Sequence, residues 1–388
     1  LVAIAALTAV SAFAQSSVQI TGFVDRGLLI TDNTKTSEKT KAIAGNSGTT
    51  RLEFRGTEDL GGGKSAGWFV ETDWNTLGGT SPTANNANSP QTGSFANSES
   101  FLSFTDAKVG TLKLGAPNSD TFITSQALQP AFSTGVGSLY SSNFSLHNGA
   151  GTGNTTGTGG QLTYVDQNAQ GAGARHIRAD NTIKFNTVSF NGLVAGLSVI
   201  PKNAYSSTGA TGTVTQAGNA GATEYSLRYT NGPLDLAYSN VAFKVDTTAV
   251  TAATAPTTNP YTAVQTKLAG QTLTDTLFGG SYTVGAVKVF AGAGTSKSTD
   301  GTTVNSSSSN LGVQYTLANI DLMAQVAKVD DKTTGNFDRS LTGLGANYNF
   351  SKQTYAYVRY DSLNYDKAHA ASKGSEQTRT AVGFAYKF

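Results

Sequence analysis

Along much of this chain, every second residue is apolar or aromatic. That period of two restricts the fold more than any other feature. Leu311, Val313, Tyr315 and Leu317 alternate with Asn310, Gly312, Gln314 and Thr316; Leu344, Ala346, Tyr348 and Phe350 alternate with Gly343, Gly345, Asn347 and Asn349. The last segment sets Val382, Phe384, Tyr386 and Phe388 against Ala381, Gly383, Ala385 and Lys387, keeping the pattern to the final residue. Successive side chains of a strand point to opposite faces, so these segments predict strands with one apolar face and one polar or glycine face. Chain ends ordinarily lose order and hydrophobicity. A strand pattern that persists to Phe388 implies that the end is paired.

Alternation alone fits a soluble sandwich as well as a barrel. The connections separate the two. Tight ones recur at 231–234, 284–286, 317–319 and 351–353. Between them come long stretches rich in Gly, Ser, Thr, Asn and Ala, at 75–94, 116–175, 202–222, 246–273, 297–308 and 366–376. Short and long connections that alternate in an up-and-down meander put all the long ones at one end, the layout of outer-membrane barrels. Strand centres fall at Gly22, Phe54, Val70, Leu102, Leu112, Lys184, Leu197, Leu227, Ala237, Ser281, Val289, Val313, Ala324, Gly345, Val358 and Phe384. These sixteen strands are an even number, in the range where a barrel encloses water. The expected fold is all-β: a transmembrane, up-and-down antiparallel barrel.

The N-terminal run 1–13, closing on Ala12-Phe13-Ala14, has the hydrophobic core and small-x-small site of a secretory signal and is too short to span a bilayer as a helix. The competing reading is a buried N-terminal helix, but the chain turns polar and strand-like directly after Ala14. The expected organisation is therefore a signal remnant at 1–14 followed by one barrel domain at 15–388. The chain has no cysteine, so disulfides do not hold the fold, and its formal net charge of +2 gives nucleic acid no electrostatic footprint.

Nothing in the sequence points to catalysis or to a cofactor. His147, His176 and His369 are scattered without metal-ligand spacing, and there is no nucleophile elbow or dinucleotide fingerprint. The stretch GGGKS at 61–65 lacks the spacing of a phosphate loop and reads as a glycine-rich hairpin turn. Charge is more informative in TTRLEFRGTEDLGGGKSAGWFVETDWN. There Arg51, Glu53 and Arg55 oppose Leu52 and Phe54, and Phe69, Glu71 and Asp73 oppose Trp68, Val70 and Trp74. Lipid rejects an arginine at mid-depth by about 2–4 kcal/mol, so in a barrel these rows face the lumen.

That segment, with QSSVQITGFVDRG, SESFLSFTDAKVGTLKLG, RADNTIKFNTVSFNGLVAGLSV and the terminal GFAYKF, resembles the general porins of Gram-negative bacteria, in particular those of betaproteobacteria. The resemblance follows the mature chain in order. It implies homotrimers of 16-stranded barrels in the outer membrane, each narrowed by a long third loop folded into the lumen, here the stretch after Gly115. It also implies wall arginines facing acidic groups on that loop, and these fall on Arg51, with Arg55 on the same face, and on Arg178. Two further family arginines are replaced by Ser98 and Ala116; Lys113, Lys184, Arg175 and Arg359 are candidate substitutes. Asp120 is the only carboxylate between Ala116 and Tyr164, which leaves the loop's acidic side thin.

The expected pore lining is therefore Arg51, Arg55, Glu71, Asp73, Lys113, Asp120, Arg178, Lys184 and Arg359. The expected function is passive diffusion of small hydrophilic solutes and ions, with a mild anion preference. The resemblance also implies contacts with outer-membrane lipid and lipopolysaccharide, and recognition of a C-terminal signal, Tyr386 and Phe388, by the barrel-assembly machinery. A substrate-specific channel and a structural or adhesive surface barrel are the alternatives.

Overall fold

The computed structural model describes residues 17–33, 39–73, 95–96, 98–139, 178, 181–201, 219–245, 270–302, 304–332, 338–365 and 376–388. The candidate signal segment, the three histidines and Arg175 lie outside these residues.

The strands are β1 (Ser17–Asn33), β2 (Lys39–Ala44), β3 (Arg51–Gly61), β4 (Lys64–Asp73), β5 (Ser100–Asp106), β6 (Gly110–Ala116), β7 (Thr182–Thr187), β8 (Leu193–Ile200) and β9 (Asn219–Asn231). They continue with β10 (Leu234–Val245), β11 (Thr272–Val284), β12 (Val287–Ser298), β13 (Asn305–Leu317), β14 (Ile320–Asp331), β15 (Arg339–Asn349), β16 (Thr354–Tyr365) and β17 (Glu376–Lys387). Among the described residues one helix, α1 (Asp120–Ala127), lies between β6 and β7.

From β3 to β17 each strand pairs antiparallel with the next, and β1 closes the ring on β17. β2 and β3 pair with successive stretches of β1, Gly27–Asp32 and Ser17–Phe23, so they are two halves of one barrel strand and the barrel has 16 strands. Each strand centre named above falls inside a different barrel strand. The tight connections also stand where alternation put them, and the triple glycine forms the β3–β4 turn, with Gly61, Gly62 and Gly63 at φ of 76°, 62° and 78°. That left-handed region favours glycine, which is why the turn is written in it. One connection is shorter than expected: the strands run on through Ser298 and from Asn305, because the serines 306–309 keep their ladder partners in β12 and β14.

The apolar set faces outwards. Leu311, Val326, Val358, Val382 and Phe384 are among the most exposed large residues, and Tyr282, Tyr315, Tyr348, Phe350, Tyr386 and Phe388 ring the short-turn end. Tyr348 packs on Phe350, and Phe350 on Phe384, at centroid distances of 5.0 and 6.2 Å. An exterior of this kind, with aromatics at the boundary, is stable in hydrocarbon. The buried apolar clusters lie inside, where the segment after β6 packs on the wall: Leu128 and Leu139 join Leu277, Val329, Leu341 and Leu363, and Val136 joins Phe23 and Tyr357.

Candidate functional site

The inner wall is shaped by the segment that follows β6. Ser119 caps α1, accepting a hydrogen bond from the Phe122 amide, so that after Ala116 the chain turns into a helix inside the barrel. Glu224 on β9 accepts hydrogen bonds from the amides of Asp120 (3.1 Å) and Thr121 (2.6 Å). A carboxylate there matches the positive end of the helix and satisfies its unpaired N–H groups.

Beyond α1 the loop follows the wall from strand to strand. Asn310 donates to the Leu128 carbonyl at 2.7 Å, Gln325 to the Gly137 carbonyl, and the Gly137 amide to Asp361 at 2.7 Å. Glycines on the inner face make room for it. Leu128 lies over Gly292, Pro130 over Gly312 and Phe132 over Gly345, each where an added Cβ would collide with the loop.

Further along, Val136 docks on the break between β2 and β3. There the amides of Asn46, Ser47 and Gly48 all point at one carboxylate oxygen of Asp25, at 2.8, 2.5 and 3.0 Å, and Tyr357 donates to its other oxygen at 2.6 Å. The turned-out Asn46 carbonyl then accepts from Val136 at 2.8 Å. The strand break is thus a docking point for the loop, and its ladder bonds are replaced by Asp25.

Most candidate lining residues gather around the start of this loop. Arg51 lies with Nε 2.6 Å from Glu53 and 3.6 Å from Glu71, its guanidinium 5.6 Å from the Phe23 ring centre. Arg55 shares Glu53 at 2.8 Å and stacks over Phe69. Asp73 is the register partner of Arg51. Buried Glu71 accepts from Ser98 at 2.5 Å, and Ser98 accepts from Arg178. Arg178 also donates to Asn118 at 3.2 Å, and Asn118 is held by Glu99. Lys113 stands with Nζ 4.3 Å from the Phe101 ring centre.

Two cations and the loop carboxylate differ from a wetted lining. Lys184 is 2% exposed, 2.5 Å from Asp120 and 2.8 Å from the Asn118 carbonyl, because the loop crosses directly over it. Asp120 spends its other oxygen on Ser226 and Asn186. Arg359 is 0% exposed: it faces inwards, but Phe132 covers it, with its guanidinium 5.7 Å from that ring centre and its Nη1 donating to the Ala346 carbonyl. Alternation told on which side of the wall these residues lie; depth under the loop has no sequence signal. Glu53, Glu99, Glu224 and Asp25 were left out of the candidate set, although the first stands on the same alternating face as Arg51.

A closed strand barrel with an apolar exterior, a charged interior and a loop folded across it is a channel-forming protein of an outer membrane. The chain belongs to the Gram-negative porin family, whose model matches residues 1–368. It is a channel protein and not an enzyme. It is 26% identical to an outer membrane porin protein of Bordetella pertussis, over 97% of this chain and 96% of that one. It is 32% identical to outer membrane porin protein 32 of Delftia acidovorans, over 50% of this chain and 47% of that one. Among solved structures, the anion-selective porin from Comamonas acidovorans matches with a TM-score of 0.70 and 22% identity, over 96% of this chain and all of that one.

Proposed function

We propose that this porin is a general diffusion channel with a mild anion preference, lined at its narrow part by Arg51, Arg55, Glu71, Asp73, Lys113 and Arg178, with Asp120, Lys184 and Arg359 forming the support beneath the loop. The observation that carries the preference is the fate of Asp120. The one carboxylate of the described inward loop is consumed by Lys184, so the loop offers no free negative charge to the wall. Arg51 and Arg55 compete for Glu53, which leaves part of their charge for passing ions, and Lys113 stands over the Phe101 ring. Rings of charged side chains bias which ions pass, and size is filtered by the space the loop leaves.

The test is the reversal potential across a salt gradient in planar bilayers, for wild type and Arg51→Ala. Loss of Arg51 frees Glu53 and Glu71 and should move selectivity towards cations. An unchanged potential would remove Arg51 from the lining, and block by micromolar solute would replace the diffusion channel with a substrate-specific one.

The same reading holds residues 1–14 to be an export signal, 15–388 one barrel domain, and Tyr386 and Phe388 the mark by which assembly machinery takes up the chain. Lipopolysaccharide is its lipid partner. It also makes the protein a homotrimer. Arg26 supports this: on β1 it stands between outward Val24 and Leu28, opposite Phe384, a cation on the face turned away from the lumen, where lipid disfavours charge. A second copy of the chain covering that face would shield it from lipid. Arg26→Glu should then leave monomers on a native gel; an intact trimer would place Arg26 outside the contact.

A further inference from the structure

Across β3–β6 the inward face carries one continuous stack of two cations and two rings. Arg55, Phe69, Phe101 and Gly115 are successive register partners, so they stand in one row around the wall. Trp68 and Leu102, which pair with each other and are exposed outside, alternate with the two phenylalanines and fix both rings on the lumen side. The rings stack on each other with centroids 5.6 Å apart and planes 25° from parallel. From β3, Arg55 lies over Phe69 with its guanidinium 5.2 Å from the ring centre. From β6, Lys113 lies over Phe101 with Nζ at 4.3 Å. The order along the wall is therefore cation, ring, ring, cation.

Each end of the stack has a local cause. Lys113 is the register partner of Lys184, and like charges side by side on a sheet repel. Lys184 turns to Asp120, so Lys113 turns the other way, towards β5. Gly115, directly opposite Phe101, has no side chain to stand in its path. At the other end Arg55 shares Glu53 with Arg51, and its side chain stays 45% exposed. A ring face holds a cation through its quadrupole without neutralising it, as a carboxylate in the same place would. The stack thus keeps two positive charges apart along roughly 14 Å of wall, about three strand spacings. Rings stacked along the wall turn their edges to the lumen, and the edge is the positive end of the quadrupole.

We propose that Phe69 and Phe101 are positioning residues that set the ion preference of the pore. They splint Arg55 and Lys113 as two fixed cations past which anionic solutes move, although neither ring carries charge. Without the rings, Arg55 is free to fold further onto Glu53, and Lys113 comes within reach of Glu99, two residues from Phe101 on the same alternating face. Each cation then spends on a carboxylate the charge it now offers to the lumen. The inference rests on the anion-preferring lining proposed above and adds the uncharged residues on which that preference depends. With Arg55 over one ring and Lys113 over the other, the stack is a surface for anions and not a platform for sugars.

The test is the chloride-to-potassium permeability ratio of the full chain in planar bilayers, read from the reversal potential across a potassium chloride gradient. The double variant Phe69→Leu, Phe101→Leu keeps every charge and should lower that ratio about two- to fivefold, the factor that an exposed cation–ring contact confers. The conservative double Phe69→Tyr, Phe101→Tyr keeps both ring faces and should hold the wild-type ratio. If the leucine double does not fold, Phe101→Leu alone, which frees only Lys113, should give part of the loss. In a background of Arg55→Gln and Lys113→Gln the leucine changes should have no further effect, because the rings then have no cation to place. A bore merely repacked by leucine would shift the ratio alike in both backgrounds. That result, or an unchanged ratio in the leucine variants, would overturn the positioning role. The two readings fail separately. A wild type with no preference for chloride refutes the anion-preferring lining beneath the proposal, whereas a chloride preference that survives loss of both rings refutes the positioning role alone.

Discussion

Phe388 and Gly22 exchange both backbone hydrogen bonds, Gly22 N to Phe388 O at 2.9 Å and Phe388 N to Gly22 O at 3.1 Å, and the Phe388 ring lies over the bare Cα of Gly22. In hydrocarbon each backbone N–H and C=O needs a partner, so the final residue completes the ladder between β17 and β1. The ring supplies the outward surface that glycine lacks.

Gly22→Val should displace that ring and destabilise the barrel by about 1–3 kcal/mol, the usual cost of overpacking. The shift should be visible in the temperature at which the folded species unfolds on a heated gel. Deleting Phe388 should lower the yield of assembled protein more than the conductance of the channels that form. Equal losses in both would make the terminal residue purely structural.

Asp120→Asn should be among the most destabilising single changes in the lumen. Lys184, 2% exposed, would lose its ionic partner, and breaking a buried pair costs about 3–5 kcal/mol. Denaturant unfolding in detergent measures the loss. Adding Lys184→Met should restore most of it, since that removes the buried charge left without its ionic partner.

The loop's distance from the wall is set by glycine. A Cβ at Gly345 would come within 2.9 Å of the Phe132 ring, and one at Gly312 within 2.6 Å of Pro130. Gly345→Leu should therefore push Phe132 towards the lumen axis and reduce single-channel conductance. Gly196, which lies under Asp120 instead of Phe132, offers a comparison: a leucine there should disturb the Lys184 pair first.

The wall was legible in the sequence because one constraint acts on every residue in it: hydrocarbon outside and water within impose a period of two, so Leu311 to Leu317 and Val382 to Phe388 could be placed face by face. The interior filling was not legible, because it depends on contacts across the barrel. Helix α1 has a readable cap in Ser119, but its burial depends on Glu224, 103 residues beyond Thr121. The split of the second strand into β2 and β3 depends on Asp25, whose role no local pattern announces. Arg359 and Lys184 were placed on the correct face, yet Phe132 and Asp120 decide that water does not reach them. The glycines under the loop were present on the polar face of β13 and β15 from the start, and only the packed loop shows why side chains are missing there.

Asp25 and Tyr357, 332 residues apart in the chain, touch only across the seam where the first and last strands meet. The carboxylate held there also gathers the three amides at the strand break, and that break receives Val136 of the inward loop. The order of assembly follows. Until β1 meets β17, Tyr357 is not brought to Asp25, so the anchorage at the strand break is the part of the loop's seating that waits for closure of the wall. A sheet that inserts without closing would be a protein with the right strands and an unset bore.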